Sequence, residues 1–244
     1  MTEFEAMVPT PDGDMDCFIA HPDGDGPYAA VILYMDVPGI REELRNFARR
    51  IAGEGYLCVL PNLYYRHGKI SFDLTKGEEE FKRMFAMGSG LSNAMINSDT
   101  GGMLEWLDAS PLVSGKTGSI GYCMSGQFVI STAGTYPDHF GAVASLYGTQ
   151  MVTDAEDSPH LLADKIKAEI YLGYAAHDPY VPEEVIPTLD AALDENGVAH
   201  TTEIHPGTEH GFCFPERPGY VEDAAEKVWT TVFDLYERTL KSTV

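Results

Sequence analysis

A near-continuous apolar run, Ala29 to Met35 (AAVILYM), is the segment that least resembles a surface element. A strand with one wet face alternates apolar and polar residues. Seven apolar residues in succession instead require cover on both faces, the environment of a parallel sheet lying between helices. The segments that follow repeat that logic. Arg41 to Ala52 carries Leu44, Phe47, Ala48 and Ile51 on one face, at helical spacing, and Tyr56-Leu57-Cys58-Val59-Leu60 is a second apolar strand ended by Pro61. Helices are expected near Glu78 to Met87 and Leu91 to Leu107. Strands are expected at Thr117 to Ile120, Ala142 to Tyr147, Glu169 to Ala175 and His200 to His205, and further helices at Gln127 to Tyr136, Pro182 to Asn196 and Val221 to Thr239.

Ahead of this alternation, Glu3 to Val8 and Met15 to Ala20 change polarity with period two around Pro11-Asp12-Gly13, the pattern of a β-hairpin. The whole predicts an α/β fold: a mainly parallel, twisted sheet with antiparallel N-terminal strands and helices on both faces. With 244 residues, no repeat and no linker, a single domain over 1–244 is expected.

The Thr117 to Ile120 strand runs into Gly121-Tyr122-Cys123-Met124-Ser125-Gly126, and an apolar helical segment follows at once. Small residues on both sides of a nucleophile let the backbone turn sharply enough to present that side chain at the sheet edge. A cysteine at a strand end is ordinarily packing, but the glycine-flanked turn makes Cys123 the candidate nucleophile. Ser125 is a rival two residues on, where a serine also suits a helix start.

Sites in open α/β sheets gather beyond the carboxyl ends of the strands. Two further motifs fall there, in the order nucleophile, acid, histidine. Asp178 follows the Glu169 to Ala175 strand within His177-Asp178-Pro179-Tyr180-Val181-Pro182, and His210 follows the last strand within Thr208-Glu209-His210-Gly211-Phe212. A thiol attacks as its thiolate, so an imidazole must take the proton, and a carboxylate must fix the imidazole tautomer. The oxyanion that forms needs two donors: the N–H of Met124 and one from Asp36-Val37-Pro38-Gly39, where Pro38 has none and Val37 is the candidate. His200 and His205 fall inside a strand and read as structural, and His177 precedes the acid.

Composition excludes several other classes. The chain has 16 basic and 38 acidic residues, a formal charge of −22, which disfavours nucleic acid and anionic membranes as partners. No apolar run reaches the roughly 20 residues needed to span a bilayer. Cys17, Cys58, Cys123 and Cys213 form no CxxC pair, no His or Cys grouping has metal-ligand spacing, and no phosphate-binding glycine loop is visible. The acidic N-terminus lacks a secretory apolar core. A reduced, cytoplasmic protein is expected, a monomer or small homo-oligomer acting on a small molecule.

Taken together, the N-terminal hairpin, Asp36-Val37-Pro38-Gly39, Leu60-Pro61-Asn62-Leu63-Tyr64, the G-Y-C turn, His177-Asp178 with Val181-Pro182, and His210-Gly211-Phe212 resemble the dienelactone hydrolase family of the α/β-hydrolase superfamily. The resemblance runs over nearly the whole chain. It implies a Cys-Asp-His triad, no metal or organic cofactor, and hydrolysis of an ester or lactone through a thioester. It also brings three departures into view. Ser125 stands where the family commonly has glycine. Asp36 stands where the well-known members carry a glutamate that helps to form the thiolate, so the resemblance suggests thiol activation for Asp36. Phe214 stands where members acting on carboxylated butenolides place a substrate-binding arginine, leaving Arg217, Arg66 and Arg83 as other possible cations.

Tyr64, Tyr65, Phe212 and Phe214 suggest a more apolar or aromatic pocket than those members have. Two other functions remain open from sequence alone. One is a non-catalytic ligand-binding protein on the same fold. The other is a redox thiol, with Cys213 as partner to Cys123.

Overall fold

The computed structural model describes residues 1–70 and 72–241. The chain divides into two compact units, Met1–Ser114 and Gly115–Val244.

The first unit begins with a hairpin, β1 (Thr2–Thr10) and β2 (Gly13–His21), paired antiparallel over its full length around the predicted Pro11-Asp12 turn. β3 (Ala30–Tyr34) is buried at every position, as its unbroken apolar run requires. It leads to α1 (Glu42–Gly53), then to β4 (Leu57–Pro61), which lies parallel to β3 and antiparallel to β2. The strand order is β1-β2-β4-β3.

α1 buries Leu44, Phe47, Ala48, Ile51 and Ala52 as one stripe. Its first turn holds Glu42 and Glu43 and its last holds Arg50, matching both ends of the helix dipole. After an irregular stretch come α2 (Glu78–Gly88) and α3 (Asn93–Asp108). Ser92 caps α3 by accepting the Met95 N–H. α3 lies so close to β1 that a Cβ on Gly102 would stand 2.3 Å from the Pro9 carbonyl oxygen, which is why glycine is required inside this helix.

The second unit is all parallel. β5 (Thr117–Tyr122), β6 (Phe140–Leu146), β7 (Glu169–His177) and β8 (His200–Glu209) pair in sequence order. α4 (Gly126–Thr135) packs on β5 and β6, α5 (Val185–Glu195) connects β7 to β8, and α6 (Glu222–Tyr236) packs on β6 and β7. Every residue of β5, and Ala142 to Leu146 of β6, is buried, so these central strands are covered on both faces. The irregular acidic segment after β6 contains one 3-10 stretch, Pro159–Lys165, and α6 ends in a wider π-helical turn, Glu237–Lys241.

Several boundaries differ from the sequence reading, and two of them have a clear physical reason. β8 continues past His205 to Glu209, because its ladder with β7 resumes after an irregularity. α5 begins at Val185 rather than Pro182, the intervening residues forming a turn in which the Val185 N–H reaches the Pro182 carbonyl. Because all four strands run the same way, the carboxyl ends of β5, β7 and β8 emerge on one side of this unit, and the residues just beyond them are Cys123, Asp178 and His210.

Candidate active site

Cys123 follows β5 with φ of +56°, in the left-handed region where a non-glycine residue costs on the order of 1–3 kcal/mol. Its surroundings hold it there. The Cys123 carbonyl accepts the N–H of Gly126 and, at 3.1 Å, that of Thr149 in the loop after β6. That loop carries two more left-handed non-glycine residues, Tyr147 and Gln150, so strain is concentrated around the cysteine. On either side of the turn there is no room for a side chain. A Cβ on Gly121 would meet the Ser125 carbonyl oxygen at 2.5 Å, and one on Gly126 would meet the Gly148 Cα at 2.2 Å. Ser125 itself is right-handed (φ −82°, ψ −4°), so its position does not demand glycine. That is the physical reason the departure from the family pattern is tolerated. Ser125 is fully buried, whereas Cys123 is partly exposed.

Asp178 and His210 meet through a 2.7 Å hydrogen bond from Nδ1 to Oδ2, with 4% and 9% of their side chains exposed. The other carboxylate oxygen accepts the Tyr180 N–H at 3.0 Å, which fixes the carboxylate plane. The imidazole lies between two rings in edge-to-face contact, Tyr147 at 5.0 Å and the half-exposed Tyr180 at 4.8 Å. Burial by itself lowers the His210 pKa. The hydrogen bonds and charges of Asp178 and Cys123 outweigh it and raise the pKa to about 9. Nε2 is buried, and the Cys123 thiol acts on the ring through its side-chain hydrogen bond first and its charge second. Such a pair can accept a proton from sulfur and hold it as imidazolium. A recess of about 630 Å³ opens beside Asp178, lined by His177, Val181, Pro182, Ile186 and Ile204.

The remaining sequence candidates have definite places. Met124 is buried directly after the cysteine, so its N–H belongs to the turn itself. Val37 is buried in the loop after β3, and its carbonyl accepts the Tyr64 hydroxyl at 2.7 Å; Tyr64 thus braces that loop. Asp36 is wholly buried and gripped by Arg41 through two hydrogen bonds of 2.6 and 3.1 Å. Arg66 makes the same kind of fork with buried Asp99, at 2.9 and 2.8 Å, and also pairs with Asp12.

Arg83 lies on α2, paired with Glu80 and stacked on Phe72. Arg217 stacks on Phe214 at 4.5 Å and lies over Gly211, where a Cβ would be 2.5 Å from its Nη1. Phe212 and Phe214 are fully buried, packed against Tyr147 and Tyr122 respectively. These two rings shape the core under the histidine loop rather than an open pocket wall. His205 is buried with Nε2 3.0 Å from the Tyr171 hydroxyl, as expected of a structural histidine.

Sequence reasoning missed Tyr147 and Tyr180 as neighbours of the imidazole, and Arg41 as the partner of Asp36. The first two had a usable signal. Tyr147 directly follows β6, the strand beside the one that Cys123 follows, and Tyr180 lies two residues after Asp178.

The profile of the Dienelactone hydrolase family matches residues 15–240. The chain belongs to the dienelactone hydrolase family. Among related sequences, a Synechocystis protein named "putative carboxymethylenebutenolidase" is 27% identical over 228 residues, 92% of each chain. A Salmonella typhi protein of the same name is 26% identical over 237 residues, covering 94% of this chain and 84% of its own. Among solved structures, one titled a "putative dienelactone hydrolase" from Klebsiella pneumoniae superposes with a TM-score of 0.83 at 25% identity, covering 96% of this chain and 98% of the other.

Membership of the dienelactone hydrolase family brings with it the α/β-hydrolase fold that the sequence pattern had indicated. Among the described residues, no helix is long and apolar enough to cross a membrane, and no group of three or more His, Cys, Asp or Glu side chains is placed to hold a metal ion.

Proposed function

We propose that this dienelactone hydrolase family member cleaves a small ester or lactone with Cys123 as nucleophile, His210 as proton carrier and Asp178 as the residue that orients it. The observation that carries this reading is the buried Asp178–His210 pair beside a cysteine whose φ of +56° presents it at a strand end.

His210 takes the proton of the Cys123 thiol, and the resulting thiolate attacks the substrate carbonyl to form a tetrahedral oxyanion. The Met124 N–H donates to that oxygen, and the sequence motif assigns the second donor to the Val37 N–H. Collapse expels the alkoxide, which takes the proton from His210 and leaves a thioester on Cys123. Water, deprotonated by His210, then attacks the thioester and releases the acid and the free thiol. Asp178 fixes the Nδ1–H tautomer and offsets the imidazolium charge throughout.

A redox partnership with Cys213 has less in its favour. That thiol is buried, and burial raises its pKa above the ordinary value, whereas reactive thiols are low in pKa and accessible. The test is a panel of p-nitrophenyl esters and lactones assayed with the native protein and Cys123→Ala. Turnover at background level in the variant is expected, and equal rates would reject the assignment.

A further inference from the structure

The ladder between β7 and β8 is broken at one place. Ala175 pairs with His205, and the next pair is His177 with Glu209, so one residue of β7 faces three of β8: Pro206, Gly207 and Thr208. Pro206 and Gly207 loop outward and are exposed; Gly207 is left-handed at φ +73° with open space where a Cβ would point. Thr208 turns inward and is fully buried. Its Oγ1 donates to the His205 carbonyl at 2.7 Å and accepts the Ala176 N–H at 3.3 Å, tying the two strands together across the bulge.

The position of this bulge is what matters. Asp178 is the residue after His177, and His210 is the residue after Glu209, so the resumed pair sets the height at which acid and imidazole leave their strands. A change of register by one residue would turn every following side chain to the other face of the sheet.

We propose that Thr208 is a positioning residue for the Asp178–His210 pair, its hydroxyl holding the bulge that brings these two side chains to the same level. The inference rests on the catalytic reading above, but it is tested by a measurement that needs no turnover. Thr208→Val keeps the side-chain shape and removes both hydrogen bonds; Thr208→Ser keeps the hydroxyl. Histidine ring NMR should show the His210 titration, near pH 9 in the native protein, moving down by about one pH unit in Thr208→Val as the Asp178 hydrogen bond loosens.

With an ester that the native protein turns over, kcat should fall roughly tenfold while KM stays within about twofold, the signature of misplaced catalytic groups rather than lost binding. Thr208→Ser should match the native protein in both respects. Thr208→Ala removes the hydroxyl without adding bulk, and is read in the same way if the valine is not accommodated.

A hydroxyl-free variant that melts earlier but keeps both the native His210 titration and the native kcat overturns the proposal, since Thr208 is then only strand support. Equal damage from serine and valine overturns it as well. Failure of the catalytic reading would instead appear as activity retained by Cys123→Ala, and the His210 titration would still decide the role of Thr208.

Discussion

Among the described residues, three aspartates, Asp36, Asp99 and Asp178, have side chains buried beside a basic partner, and they divide sharply by region. In the first unit, Asp36 is forked by Arg41 and Asp99 by Arg66, each through two guanidinium hydrogen bonds. In the second unit, Asp178 is held by one imidazole nitrogen and one backbone N–H. Arginine does not lose its proton at any pH a protein experiences, so the first two pairs are fixed charges that brace loops. Histidine changes charge in an accessible range, so the third pair can pass a proton on while its carboxylate stays in place. On the proposed mechanism, the same kind of buried carboxylate is a strut in one unit and part of a proton relay in the other, and the partner decides which.

Exchanging the carboxylate for an amide separates these roles most strongly at Asp178. Asp178→Asn keeps the volume but favours the wrong imidazole tautomer, and kcat is expected to fall by about 10³–10⁴-fold while the fold remains intact. Steady-state kinetics together with a thermal melt check both halves, and a loss below tenfold would remove Asp178 from the mechanism.

The strut behaves in the opposite way. Arg66→Met leaves Asp99 buried and uncompensated, which is expected to cost about 3–5 kcal/mol of stability. Denaturant unfolding measures that cost. At temperatures where the variant stays folded, its kcat should lie near the native value. A pair that could be broken without loss of stability would mean that water reaches Asp99 and that the comparison is misdrawn.

The contrast also explains what could be seen in the sequence. Period and apolar runs gave the strands and helices, because burial on one face or two leaves a direct trace in residue order; α1 and β3 are the clearest cases. The three catalytic candidates were visible because each follows a strand in a parallel set, where position along the chain becomes position in space. Pairings between side chains distant in sequence leave no such trace. Nothing in the order of residues says that Arg66 would be committed to Asp99, 33 positions away, rather than facing a substrate. Aromatic side chains were ambiguous for a related reason. Phe212 and Phe214 suit a pocket wall or a core equally well by type, and only the packing of Tyr122 and Tyr147 against them decides for the core.

The smallest of the expected effects is the one that only the titratable pair can produce. The His210 pKa, raised from the ordinary 6.5 to about 9 in the folded protein, means that folding favours the protonated ring. The stability this supplies is fully present below pH 6.5 and disappears as the pH rises through about 9. Its full size is at most roughly 3–4 kcal/mol, since a tenfold gain in proton affinity corresponds to about 1.4 kcal/mol.

Denaturant unfolding at about pH 6 and about pH 10 should therefore show the native protein losing more stability than His210→Gln, with the difference largest when Cys123 and Asp178 are both intact. The guanidinium groups of Arg41 and Arg66 stay charged over this interval and supply none of the difference, so Arg66→Met should show the same pH slope as the native protein from a lower starting value. If His210→Gln loses as much stability on the alkaline side as the native chain, the imidazole is not held as a cation, and the proton it is meant to return to the leaving group would have to come from elsewhere.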